Sequence, residues 1–106
     1  MKVAVEPDII IKVRFSTPEE GGRRAAVQPS IVDYYGCPFI VGGEAFDCRL
    51  LLQGRRLELG ETYEIPVKFL NWRLVGPILA EGTPFVLREG EDVATGTVTR
   101  IVTGFQ

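Results

Sequence analysis

An all-β domain, either an antiparallel sandwich or a closed barrel, is what this sequence predicts, and three observations predict it. Apolar and polar residues alternate at period two in several runs, which is the signature of strands with one buried face. Glycine (12) and proline (7) interrupt the 106 residues at short intervals, so no run is long before a turn signal ends it. No stretch sustains a helical period, and without crossover helices a parallel α/β sheet is excluded.

Taken in order, residues 8–15 set Ile9, Ile11, Val13 and Phe15 on one face, with Lys12 and Arg14 opposite. Residues 45–53 alternate Phe46, Cys48, Leu50 and Leu52 against Asp47, Arg49 and Gln53. Residues 62–70 alternate Tyr63, Ile65, Val67 and Phe69 against Glu64 and Lys68. Further strands are expected over residues 72–75, 84–88 and 93–102, the last threonine-rich and so suited to a pleated surface. Turn signals fall between them: "EEGG", "VGG", "LQGRR", "LGE", "AEGTP" and "REGED". Residues 25–41 are the least regular, and read as a long loop or as a strand broken by turns. Residues 1–7 are expected to be a flexible lead, 8–102 a single domain and 103–106 a short tail.

Composition narrows the function classes. A net charge of −2 provides no general basic field for nucleic acid or an acidic membrane, so any RNA binding must come from a local patch. The chain has no histidine, which removes Ser-His and Cys-His dyads and the commonest general base at neutral pH. Two cysteines, Cys37 and Cys48, make no zinc site without histidine, and are expected to stay reduced in a cytoplasmic protein. No apolar run approaches the length of a membrane span, and the amino terminus lacks the pattern of a signal peptide. No phosphate-cradling G-x-x-x-x-G-K-[ST] loop is present, and no carboxylate pair is marked by spacing as acid and base. No enzyme activity, cofactor or metal is expected.

The carboxyl half carries a resemblance. Pro77-Ile78, the acidic turn Glu81-Gly82, the strand from Phe85 into Arg88-Glu89-Gly90, and the final strand from Val93 to Val102 follow one another in "VGPILAEGTPFVLREGEDVATGTVTRIV". Upstream, "TPEEGGRR" and "LELGETYEIPVKFL" stand in compatible order. Together these resemble the third, carboxyl-terminal barrel domain of the elongation factor Tu family, encoded as a stand-alone chain without the GTPase domain. The resemblance implies a closed six-stranded antiparallel barrel. It also implies a docking surface for a protein partner, such as a GTPase or another translation factor, and a weaker contact with tRNA or rRNA. Where the family carries Gly-Gly-Arg in its last hairpin, this chain has Gly90-Glu91-Asp92, an anion in place of a cation.

The residues singled out on these grounds are Gly22, Arg23, Arg24, Arg88, Glu89 and Gly90 as a partner or RNA contact, and Tyr34, Tyr35 and Trp72 as an aromatic interface. Each has a plainer reading. "EEGG" is a turn in which Gly21 and Gly22 supply positive φ, "LREGED" is a hairpin with Gly90 at its bend, and "QGRR" is another exposed turn. The tyrosines and the tryptophan also serve simply as packing. Acidic neighbours Glu89, Glu91 and Asp92 repel phosphate, which favours a protein ligand over RNA. A small-molecule site at a barrel mouth or in residues 25–41 is the third alternative. Apolar patches left uncovered on a solitary copy of such a domain are relieved in one of two ways, by replacement or by pairing into a homodimer.

Overall fold

A computed structural model describes residues 6–103; the expectations for residues 1–5 and 104–106 lie outside it. Six strands form it: β1 (Ile9–Phe15), β2 (Tyr34–Val41), β3 (Glu44–Leu51), β4 (Thr62–Phe69), β5 (Pro84–Glu89) and β6 (Glu91–Ile101). A short helix, α1 (Trp72–Val75), runs into a 3-10 turn over Gly76–Ile78. All pairings are antiparallel, and the order β1-β4-β3-β2-β5-β6 closes on itself as a barrel. Closure leaves no long sheet edge as a template for aggregation.

The alternating runs decide which face is inside. Ile9, Ile11, Val13 and Phe15 of β1 are fully buried, as are Ile65 and Val67 of the neighbouring β4 and Leu50 of β3 beyond it. Phe39 of β2 is the hub of the interior: its ring stacks on Phe85 at 4.3 Å and meets Phe69 edge-on at 5.0 Å. Side chains fill the barrel, as expected for one of this strand number. Gly96 of β6 makes room for this packing. A Cβ there would stand 2.1 Å from the Lys12 carbonyl oxygen and 2.7 Å from the tip of Phe85.

Two parts of the chain depart from the sequence expectation. Residues 72–75 form a helical turn where a strand was expected. The buried positions explain the difference: Trp72, Val75 and Leu79 pack inward at spacings of three and four, while Leu74 and Ile78 face out. A strand would have put Trp72 and Leu74 on one face. The sixth strand instead comes from Tyr34–Val41, inside the irregular segment. Its interior Pro38 obscured it, because proline cannot donate to a ladder.

One carboxylate fastens three strands together at one end of the barrel. Asp8, the single buried charged residue among those described, accepts hydrogen bonds from the Phe69 amide (2.9 Å), the Thr103 hydroxyl (2.8 Å) and Lys68 Nζ (3.2 Å). Its own carbonyl accepts from the amides of Val102 and Thr103. The start of β1, the end of β4 and the chain after β6 thus meet at one side chain. Thr103, assigned from sequence to the tail, belongs to this knot.

Candidate functional site

Three of the residues singled out from sequence, Arg23, Tyr35 and Glu89, meet at one seam of the barrel. β2 and β5 pair only at Phe39 with Leu87 and Ile40 with Val86, although β2 begins at Tyr34. Pro38 is the next residue in line, and without an N–H it cannot extend the ladder. Arg23 fills the gap. Its guanidinium lies 5.3 Å from the centre of the Tyr35 ring, forms an ion pair with Glu89, and donates from Nε to the Ala25 carbonyl at 3.1 Å. Tyr35 in turn meets Phe15 edge-on at 5.6 Å, so the loop is stapled to the core.

The other cations of the set differ from Arg23 in their surroundings. Arg88 is exposed and pairs with Asp92 at 2.8 Å, across the hairpin bend at Gly90, whose φ of 77° matches its expected role. Arg24 is exposed and carries no ion pair among the described residues. Gly21 has the expected positive φ of 87°, but Gly22 does not, which corrects that part of the reading. Glycine is needed at 22 for a different reason: a Cβ would lie 2.1 Å from the Ser16 carbonyl oxygen. Beside it, Arg14 and the Thr17 amide both bond Glu20, holding its carboxyl down from 4.5 to about 2.

Tyr34 belongs to a second surface. On the outer face of β2 and β3, Tyr34, Gly36 and Pro38 stand beside Asp47 and Arg49, with Leu70 at one end of a groove of about 360 Å³. Arg49 lies over the Tyr34 ring at 4.4 Å. Beyond Leu70, which is 61% exposed, Leu74 of α1 at 63% and Ile78 of the 3-10 turn at 48% are exposed as well. Trp72 points the other way, its ring 6.0 Å from Phe69, and so anchors α1 rather than presenting an interface. Sequence reasoning missed Leu70, Leu74, Ile78 and Arg49. The spacing of four in "LNWRLVGPI" was the available signal, masked by the strand reading.

Arg23 and Arg88 are each paired with a carboxylate, whereas the groove and the exposed Leu70, Leu74 and Ile78 present apolar area, with Arg49 and Asp47 lining the groove. Among the described residues, no group of three or more Cys, Asp or Glu side chains gathers to hold a metal, and no helix is long and apolar enough to cross a membrane. Neither a scan against protein-family models nor a search of curated proteins finds a match to this chain.

Proposed function

We propose that this chain is a non-catalytic docking module that binds a protein through the face formed by Leu70, Leu74 and Ile78 and the adjoining Tyr34–Arg49 groove. The observation that carries the reading is the exposure of three large apolar residues, Leu70, Leu74 and Ile78, within nine positions, the first of which also lines the groove. Its chemistry suits a partner with an apolar patch flanked by charges able to meet Arg49 and Asp47. The resemblance to the third domain of elongation factor Tu nominates a translational GTPase, bound in trans, as the partner class. A second copy of the chain would cover the same face.

RNA is the weaker reading. Arg23 and Arg88 already face Glu89 and Asp92, so a phosphate must displace a carboxylate to reach either. That leaves Arg24 as the one arginine of the three without such competition, enough for a contact with one phosphate.

Capture from cytoplasm with the wild-type chain, set against Leu74→Asp/Ile78→Asp and Arg24→Ala variants, tests the proposal. The expected result is a partner that purifies with the wild type and with Arg24→Ala, and whose affinity falls at least tenfold with the double aspartate. A parallel tRNA titration at low salt is expected to show no saturable binding. A partner insensitive to the aspartates, or tRNA binding abolished by Arg24→Ala, would overturn it.

A further inference from the structure

The structure places Cys37 of β2 directly opposite Cys48 of β3, on the same face of the two strands. Both are free thiols and both are buried, Cys37 at 7% exposure and Cys48 at 1%. We propose that they form a reversible dithiol that closes into a cross-strand disulfide by exchange with a small disulfide oxidant such as oxidised glutathione.

Directly opposed residues of an antiparallel pair hold their Cβ atoms roughly 4.5–5.5 Å apart, and a disulfide needs about 3.5–4.5 Å. Closure therefore asks for an approach of about 1 Å. The two sides are unequal in their freedom to make it. Cys48 sits where β3 pairs with β2 on one side and, through Phe69, with β4 on the other. Cys37 lies beyond the end of the β2–β5 ladder, between Gly36 and Pro38, and β3 is the one strand it pairs with. The strand carrying Cys37 is thus the one able to shift.

Access orders the steps. Cys37 is the more exposed thiol, and its strand is unpaired on the β5 side there, so local opening of that stretch reaches Cys37 first. The Cys37 thiolate attacks one sulfur of the oxidant and forms a mixed disulfide, and the displaced thiolate takes up the proton that Cys37 lost. Cys48, after losing its proton, then attacks the Cys37 sulfur and releases the second small thiol. Two protein thiols become one disulfide, and one small disulfide becomes two thiols. The hydrogen bond with Cys37, and then burial, push the Cys48 thiol up, so the second step is the slower one. Once closed, the bond pins the Tyr34–Pro38 stretch to β3 and fixes the floor of the groove.

Equilibrating the native protein in a glutathione redox buffer, followed by acid quench, alkylation of free thiols and mass spectrometry, tests this without any substitution. Both thiols are expected to disappear together, with no glutathione retained, and to return with dithiothreitol. Because a fold that a disulfide stabilises must favour that disulfide in return, closure should be on the order of 100-fold more favourable in the native protein than in concentrated guanidinium. A Cys48→Ser variant should stop with one glutathione on Cys37. Should that variant fail to fold, the native-against-denatured comparison decides alone. Equal closure in the two states, or glutathione lodged permanently on wild-type Cys37, would overturn the proposal.

Discussion

Asp8 shows how much of this barrel hangs on single atoms. Its carboxylate is the acceptor for a buried strand amide, a threonine hydroxyl and a lysine, so Asp8→Ala leaves the Phe69 N–H without an acceptor in the dry interior. A stranded buried donor costs about 1–3 kcal/mol, and loss of the other two bonds adds to it. Urea unfolding is expected to show a loss of about 2–3 kcal/mol at unchanged m, with Asp8→Asn falling between the two. The two adjacent glycines make a second case. Gly21 needs glycine for its left-handed backbone, and Gly21→Ala should cost about 1 kcal/mol. Gly22 needs it because the Ser16 backbone leaves no space, and there Gly22→Ala should cost more, about 2 kcal/mol or above. If the two losses prove equal in thermal unfolding, the close approach at Gly22 is wrong. From sequence the pair reads as one turn signal, because composition reports that glycine is required but not which constraint requires it.

At the scale of elements, what was legible depended on whether a pattern had one physical explanation. β1, β3 and β4 were readable because their alternation matches the pleat and one face of each is buried, and β6 through its threonine-rich composition, which suits a strand. β2 was not, since Pro38 and Gly36 look like breakers. They are tolerated there because Pro38 stands where the ladder to β5 has already stopped, and Arg23 with Tyr35 and Glu89 closes the seam in place of backbone bonds. The members of that seam were each visible as charged or aromatic residues, but their meeting depends on contacts between residues 66 positions apart, which no local pattern encodes. Helix α1 failed for another reason: four residues are too few to separate period two from period 3.6. Substitution separates them. Val75→Ala should cost about 2 kcal/mol because Val75 is wholly buried, while Leu74→Ala should change stability by less than about 0.5 kcal/mol. A strand through the same residues would reverse that ranking, and denaturant titration of the two variants reads it directly.

For the molecule as a whole, the missing histidine has a consequence for stability. Linkage ties the slope of stability against pH to the difference in protons bound by the folded and unfolded chains, and with no imidazole the principal side-chain source of such a difference near neutrality is absent. Shifted groups mark the two ends instead. Glu20 is held near 2 in the folded chain against an ordinary 4.5, so its contribution is present above about 4.5 and disappears as pH falls toward 2. Cys48 is raised above its ordinary 9.0, so its contribution is complete below that value and fades as the unfolded chain ionises at higher pH. Under reducing conditions Tm is therefore expected to be level from about pH 5.5 to 8.5 and to fall on both sides. Glu20→Gln should flatten part of the acid limb and leave the alkaline one alone, and Cys48→Ala should do the reverse. Because Glu20 is solvent-exposed, added salt should shrink the acid limb and leave the alkaline limb, which arises from the Cys37 hydrogen bond and burial, nearly unchanged. A slope through pH 6–8 in calorimetric scans would mean that some other group changes its proton affinity on folding, and the two-ended account would then fail.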